Sequence, residues 1–367
     1  MTKATIGVVL SVLVTASIAS ADVDFQVTNL VSDQPGVAQI TDPNLVNAWG
    51  ISSSPTSPFW VSDNGTGHVT LYSVVGGVPT KLGLTVTIPG DGSVTGQLFN
   101  PGAGGGAFNG DNFLFVSEDG TVSGWRGTLG TSAETLVPAS DNVYKGVTYG
   151  APGGLPYVYA ANFHTGNIDV FKGNPGNPNL TGNFTDPGLP AGYAPFNIAN
   201  LNGTLYVAYA QQGPGKDETD GAGLGFVDQF DLQGNFLGRI ASQGPLDAPW
   251  GLAIAPSGFG TFGGDLLVGS FGDGSINAYS LSGLFEGTLD GTTGSALNLD
   301  GLWALKFGNG GNGGDPNVLY FSAGPDDESH GLFGAITLTP EPSSLVVVVG
   351  SLPIMAWFRR RRSRQAS

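Results

Sequence analysis

The sequence predicts an all-β fold, a six-bladed β-propeller built from four-stranded antiparallel blades. A unit of short strands recurs six times, and the steps from Gly50 to Gly301 have a mean length of about 50 residues, close to the blade lengths of propellers. The chain contains 61 glycines and 24 prolines between runs rich in Val, Phe, Thr and Tyr, which is typical of short strands joined by turns. Such strands cannot bury a face alone, so the copies must stack on one another.

The clearest copy of the unit spans residues 248–283. It contains a strand opened by an aromatic residue and a glycine (250–253), a continuous apolar strand (266–268) and an alternating strand (276–279), with Gly-rich corners between them. The innermost strands of the other copies are expected near Trp49, Gly104 to Phe108, Gly146, Phe196 and Gly301.

The N-terminal part of the body holds an alternating strand, Phe25 to Thr28, that has no partner of its own. The sixth copy shows only three strands before residue 340, so we expect the N-terminal strand to be its fourth and to close the ring. A seven-bladed ring would need another unit between residues 180 and 194, a span that is too short and too rich in Pro and Gly.

The two ends of the chain are expected to lie outside the propeller, which we assign to residues 22–339. Residues 1–21 have the pattern of a secretory signal peptide, with Lys3 before an apolar run and small residues before Asp22. Residues 340–367 contain a Pro-Glu-Pro triplet, an uncharged run from Leu345 to Phe358 and an arginine cluster. As a helix this run would extend about 21 Å, short of a hydrocarbon core of roughly 30 Å. The arrangement therefore suggests a temporary single-pass anchor with its arginines in the cytoplasm.

This tail resembles the PEP-CTERM sorting signal of bacteria that make an exopolysaccharide matrix. The resemblance rests on the triplet and the arginine cluster, namely Pro340, Glu341, Pro342, Arg359, Arg360, Arg361 and Arg362. It implies export through the inner membrane, processing by an exosortase-type enzyme and release to the cell surface or extracellular matrix, where polysaccharide or other matrix components are possible partners. A plain C-terminal anchor is the alternative.

Two body segments, residues 47–51 and 225–231, are similar to a family of propeller proteins that carry the PEP-CTERM signal. The blade pattern is also distantly like that of NHL-type and gluconolactonase-type propellers. These resemblances imply a fold and no particular activity.

The charge of the body is strongly acidic. Six of the 13 basic residues and one of the 29 acidic residues lie in the two end segments, so residues 22–339 keep 7 basic and 28 acidic residues. Such a surface disfavours nucleic acid as a partner and attracts cations, although acidity also keeps exported proteins soluble. Cysteine is absent, which excludes disulfides, thiolate metal sites and thiol nucleophiles.

Many acidic and amide residues are expected on one face of the propeller. In a four-stranded meander, the corner between the second and third strands lies at the same end as the connection to the next blade. These corners contain ten acidic residues and the three histidines, His68, His164 and His330, and the connections add further acidic and amide residues. The candidate ligand-binding residues at this channel mouth are Asn47, Trp49, Asp63, Asn142, Asn197, Trp250, Asp273 and Asp300.

Two kinds of ligand suit these residues. Converging oxygens would suit Ca²⁺, with Asp63, Asp273, Asp326 and Asp327 as candidate ligands, although Asp and Asn also serve tight turns. Trp49, Trp250 and Trp303 could stack on sugars, or could simply pack between blades. No Gly-x-Ser-x-Gly element is present. The sequence therefore predicts a binding or scaffold module, with a Ca²⁺-dependent hydrolase or lactonase as the alternative.

Overall fold

Six β-sheets arranged as the blades of a propeller, antiparallel except where the short β2 pairs with β1, account for the strands of residues 24–339, the part of the chain that the computed structural model describes. Blade 1 contains β3 (Ala48–Ser52), β4 (Phe59–Asp63), β5 (His68–Val75) and β6 (Val78–Thr87); blade 2 contains β7 (Val94–Phe99), β8 (Phe113–Ser117), β9 (Val122–Trp125) and β10 (Glu134–Val137). Blade 3 contains β11 (Tyr144–Gly150), β12 (Tyr157–Asn162) and β13 (Asn167–Lys172).

The other three blades follow in chain order. Blade 4 contains β14 (Tyr193–Leu201), β15 (Thr204–Gln212), β16 (Glu218–Thr219), β17 (Gly225–Phe230) and β18 (Phe236–Ser242); blade 5 contains β19 (Pro249–Ile254), β20 (Leu266–Ser270), β21 (Ile276–Tyr279) and β22 (Phe285–Thr288). Blade 6 contains β23 (Leu302–Phe307), β24 (Leu319–Ala323), β25 (Leu332–Leu338), β1 (Phe25–Ser32) and the short β2 (Ile40–Thr41). Short 3₁₀ turns occupy Ala103–Gly105, Ala107–Gly110, Gly127–Leu129, Pro152–Gly154 and Gly260–Phe262.

The second strand of most blades is buried along its whole length. Every residue of β4, β8, β12, β20 and β24 is buried. A blade has neighbouring blades on both of its faces, so its central strands have no solvent-facing side and lose the polar alternation of a one-sided sheet. The hydrophobic core of the propeller consequently lies between the blades.

The prediction that the N-terminal strand closes the ring is confirmed. β1 pairs antiparallel with β25, with Phe25 opposite Leu338 and Ser32 opposite Leu332. The pairing continues past the strand end, where the Thr339 N–H donates to the Asp24 carbonyl at 2.9 Å. β1 thus covers the edge that β25 would otherwise leave open.

Two details of the predicted blades are wrong. The innermost strand of blade 2 is β7, and the Gly-rich stretch from Gly104 to Phe108 forms 3₁₀ turns between β7 and β8. Blade 3 has three strands, and a loop takes the place of its fourth: Phe184 packs on Tyr159 and Phe230 with ring centroids 5.6 and 5.7 Å apart.

The glycine that recurs in the innermost strands is required by close approach between neighbouring blades. A Cβ atom on Gly50 would lie 2.6 Å from the Thr95 carbonyl oxygen, and one on Gly96 would lie 2.8 Å from the Val147 nitrogen. Both distances are too short for a side chain. Gly96 of β7 is therefore the glycine of the innermost strand of blade 2, which the sequence analysis placed near Gly104 to Phe108.

Residues 1–23 and 340–367 lie outside the described residues, and with them the predicted signal peptide and sorting tail. Within residues 24–339, no helix is long and apolar enough to cross a membrane.

Candidate functional site

The first strands of the six blades surround a central channel. Each of these strands, β3, β7, β11, β14, β19 and β23, packs against the corresponding strand of the next blade. All six begin at the face that carries the corners between second and third strands, which we call the corner face. They end at the opposite face, which we call the open face.

Every innermost strand has a β-bulge at the same position near the corner face. The strand registers break at Ala48/Ile51, Val94/Gln97, Tyr144/Gly146, Pro195/Asn197, Pro249/Gly251 and Leu302/Leu305. A bulge redirects the side chain at its centre. The six residues at this position, which we call the bulge ring, are Trp49, Thr95, Lys145, Phe196, Trp250 and Trp303.

The bulge ring fills the channel near the corner face. Trp303 stacks on Trp49 with centroids 3.6 Å apart and on Phe271, from a blade-5 corner, at 4.1 Å. Trp303 also meets Phe196 and Trp250 at 5.8 and 6.0 Å. Contacts such as that between blades 4 and 6 cross the ring, so these side chains meet at its axis.

Lys145 is the one charged member of the bulge ring, and it is 2% exposed. Its Nζ donates to Glu118 Oε1 at 2.6 Å and lies 3.8 Å from Glu218 Oε2. The ammonium group also lies over the Trp49 ring, 5.0 Å from the centroid, which is a cation–π contact. A buried cation is thus held by carboxylates from two other blades and by an aromatic face from a third.

Two carboxylates near Lys145, those of Glu218 and Glu328, have raised pKa values. Burial raises the pKa of Glu218 to about 7, although Lys145 opposes the shift. Burial also raises the pKa of Glu328, again against the effect of Lys145. The pKa of Lys145 is raised: burial alone would lower it, and the attraction of Glu118 and Glu218 outweighs that effect. We call Lys145, Glu118, Glu218 and Glu328 the lysine cluster.

A strained turn carries Glu328 into this region. Asp326, Asp327 and Glu328 have φ values of 56, 52 and 62°, three successive residues in the left-handed region. Such a conformation costs roughly 1–2 kcal/mol per residue. The turn is held by the Asp326 N–H, which donates to Asp300 Oδ2 at 2.9 Å, and by Glu328 Oε2, which accepts from Asn47 Nδ2 at 2.6 Å.

A cavity of about 450 Å³ occupies the channel toward the open face. All six innermost strands line it, and no Asp or Glu is among the lining residues. Its polar lining consists of Ser52, Ser53, Gln97, Thr148, Asn197, Asn200 and Lys306. We call it the channel cavity.

The amides of the channel cavity are already used in holding blades together. Gln97 Nε2 donates to the Gly50 carbonyl at 2.8 Å and to Ser62 Oγ at 2.9 Å. Asn197 Nδ2 donates to the Trp250 carbonyl at 2.6 Å, and Asn200 Nδ2 donates to the Tyr149 carbonyl at 2.8 Å. Lys306 differs, since its Nζ has no hydrogen-bond or ion-pair partner among residues 24–339. Burial lowers its pKa.

The predicted ligand-binding residues do not form one site. Asn47 joins the lysine cluster and also accepts from Trp303 Nε1 at 3.0 Å. Trp49 and Trp250 are 1% and 5% exposed, so they pack between blades and offer no stacking platform for a sugar at the surface. Asn197 links blades, and Asn142 bonds to the Tyr144 hydroxyl at 3.1 Å.

The predicted calcium ligands do not converge. Asp63 is completely buried, accepts from Thr70 Oγ1 at 3.2 Å and has a pKa raised by burial. Asp273 caps its own turn by accepting from Ser275 Oγ at 2.7 Å, and Asp326 and Asp327 lie on the exposed left-handed turn. Within residues 24–339, no three His, Asp or Glu side chains are grouped so that they could hold a metal ion. The described residues therefore do not bring the predicted calcium ligands together.

Sequence reasoning missed the two lysines. Lys145 precedes a glycine, as Trp49 and Trp250 do in their blades. A lysine at a position that holds tryptophan in other blades is the sequence feature that could have identified it. Lys306 has no comparable sequence pattern, because its place in the cavity lining depends on the direction in which β23 orients its side chains.

No protein-family model matches this chain. Two relatives from Acanthamoeba polyphaga mimivirus, uncharacterized proteins R648 and L690, are each 31% identical to it over 332 residues. The match covers 85% of this chain, 80% of R648 and 85% of L690.

Among solved structures, a protein of unknown function from Bacteroides thetaiotaomicron VPI-5482 has a TM-score of 0.51 and 10% identity, over 87% of this chain and 77% of its own. This likeness supports the fold alone. A streptogramin B lyase matches 86% of this chain and 98% of its own with a TM-score of 0.46 and 12% identity, which is too remote to support an argument.

Proposed function

Because this chain belongs to the same family as the uncharacterized proteins R648 and L690 of Acanthamoeba polyphaga mimivirus, whose names state no activity, we propose a function from its own site: it is a binding protein that holds a small organic ligand in the channel cavity. The proposal agrees with the binding module expected from the sequence. It moves the ligand to the opposite end of the channel from the predicted one.

The observation that carries this proposal is the channel cavity itself. Its volume of about 450 Å³ falls within the range of small-molecule sites, roughly 300–1,000 Å³. Its walls combine aliphatic side chains, such as Leu252 and Leu305, with a few polar groups. The bulge ring occupies the other end of the channel, which leaves the open face as the way in.

Binding is favoured over catalysis by the composition of the cavity. General acid–base catalysis needs a titratable group within reach of the substrate, and nucleophilic catalysis pairs the nucleophile with a base. Lys306 is the only Asp, Glu, His, Lys or Arg among the lining residues, so the cavity offers a single titratable group of these types and no acid–base pair.

Blocking the mouth of the channel cavity tests the proposal. Ser53 lies at the open-face end of β3, and we expect Ser53→Trp to abolish binding of small molecules that stabilise the full chain in a thermal-unfolding screen. Ligand binding to the native state raises the unfolding temperature by mass action. Thr56→Trp is the matched control, because Thr56 is exposed in the loop that follows Ser53 and does not line the cavity. Unchanged binding in Ser53→Trp would refute the proposal.

We also propose that the protein works outside the cell, at the surface or in an extracellular matrix whose polysaccharides are possible partners. Support comes from residues 1–21 and from the resemblance of residues 340–364 to the PEP-CTERM signal. The acidic body is compatible with this location, since it repels anionic lipid.

Mass spectrometry of protein from bacterial cells that contain an exosortase tests the export proposal. The surface or matrix fraction is expected to hold a chain that starts at Asp22 and has lost the arginine cluster. Replacement of Pro340, Glu341 and Pro342 by alanine should leave the tail uncleaved and the chain in the membrane fraction. An intact tail on mature wild-type protein would indicate the plain anchor instead.

A further inference from the structure

The channel cavity is lined by a cation, Lys306, that has no acidic partner among the described residues. Among residues 24–339, Lys81, Arg126, Lys145, Lys216 and Arg239 each have an acidic partner within 4.0 Å. Only Lys172 and Lys306 have none within the same residues, and Lys172 lies on β13, away from the channel. Lys306 is therefore the one unpaired cation on an innermost strand of the propeller.

The surroundings of Lys306 make this lack of a partner unusual. Residues 22–339 contain four acidic residues for every basic one, yet no carboxylate lines the cavity. The strands packed against β23 are β3, β19, β20 and β24. The first three contain no titratable residue, and β24 brings only Tyr320, whose hydroxyl accepts from the Asp315 N–H at 3.2 Å. Within residues 24–339, no carboxylate lies within 4.0 Å of the Lys306 ammonium group.

The amides that line the cavity differ from Lys306 in having partners. Gln97 Nε2 donates to the Gly50 carbonyl and Asn197 Nδ2 to the Trp250 carbonyl, whereas the Lys306 ammonium group has no acceptor among the described residues. The missing group is an acceptor, and the charge of Lys306 indicates that it is anionic.

We propose that the ligand of the channel cavity is an organic carboxylate, whose negative group pairs with Lys306 and whose apolar part packs against the aliphatic walls. This inference rests on the proposed binding function and adds the chemical class of the ligand. Leu252, Ile254 and Leu305 supply the walls for the apolar part.

Proton uptake should accompany this binding. Burial lowers the pKa of Lys306 in the free protein, and a carboxylate at hydrogen-bond distance raises it again. At a pH between these two pKa values, the amine of Lys306 is neutral in the free protein and takes up a proton from solution when the carboxylate binds. Affinity should then fall as the pH rises above the pKa of the free state, by up to about tenfold per pH unit.

Matched acids and amides provide the test. We would titrate the full chain with hexanoate, cinnamate and phenylacetate, and with the primary amide of each, which has the same shape and no charge. The acids are expected to bind about tenfold or more tightly than their amides, because hydrogen bonds to charged groups are stronger than those between neutral groups. Acid affinity should fall with rising pH, and amide affinity should not.

Substitutions of Lys306 separate a binding role from a merely structural one. Lys306→Met should remove the preference for acids. Lys306→Arg should keep it while abolishing its pH dependence, because arginine stays charged. Lys172→Met is the control and should change neither.

The outcomes distinguish this inference from the proposed function. Equal affinity for acids and amides, or the failure of every acid to bind, would overturn the carboxylate proposal and leave a neutral ligand possible for the cavity. Acid binding that survives Ser53→Trp would place the ligand elsewhere and overturn both.

Discussion

Replacing Lys145 by methionine is expected to destabilise the protein by about 3–5 kcal/mol at neutral pH, because it leaves buried carboxylates without their cation. Glu118 loses its 2.6 Å ion pair, and Glu218 and Glu328 lose the positive charge that opposes their raised pKa values. Urea unfolding of the full chain measures the loss. Lys216→Met is the control: its side chain is 47% exposed and lies 4.0 Å from Asp91, so we expect less than about 1 kcal/mol.

The same variant should regain stability in mild acid. A carboxyl group whose pKa is raised in the folded state favours unfolding as the pH rises from its unfolded value to its folded value, and favours folding as the pH falls through that window. For Glu218 the window runs from 4.5 to about 7, and it widens upward when Lys145 is absent. The deficit of Lys145→Met relative to wild type should therefore shrink between pH 7 and pH 5. A deficit that stays constant over this range would show that the loss comes from packing and not from uncompensated charge.

Replacing Trp303 by alanine is expected to cost about 3–5 kcal/mol, since it opens a void at the axis of the ring. Trp303 is completely buried and contacts Trp49, Phe196, Trp250 and Phe271, so the loss reaches three other blades. The substitution also removes the indole N–H that donates to Asn47 Oδ1.

Urea unfolding again measures this effect. Trp303→Phe should cost less, because it retains part of the stack. The control Phe285→Ala removes an aromatic ring that is 46% exposed on an outermost strand, and it should cost less than about 1 kcal/mol. A loss for Trp303→Ala no greater than that of the control would mean that the bulge ring does not stabilise the propeller.

The repeat made the number of blades and the closure of the ring predictable. A blade that lacks its fourth strand leaves a sheet edge open, which is unfavourable. The unpaired N-terminal strand could therefore be expected to pair with the incomplete last blade. The innermost strand of blade 2 was missed because its pattern, Val94 to Phe99, lacks the aromatic residue that precedes glycine in blades 1 and 5. Thr95 holds that position instead and donates to the Tyr144 carbonyl at 2.7 Å.

The candidate site was less predictable for a physical reason. The sequence placed the corner acids on one face, and Glu118, Glu218 and Glu328 do gather around Lys145. Which acids gather depends on loop conformation. Glu328 reaches its place through a left-handed turn that its residue types disfavour, and Glu218 through a two-residue strand, β16, inside a polar insert. Periodicity contains no information about either loop.

The pairing of β1 with β25 also constrains the order of folding. Val27 and Ile336 face each other although about 300 residues separate them, and the entropic cost of closing a loop grows with its length. When five blades have been synthesised, β25 has not yet been made. Phe25, Leu30 and Val31, which are buried in the folded protein, then lack the strand against which β1 pairs. Ring completion is then a late event, and before it the nascent chain exposes apolar side chains that favour aggregation.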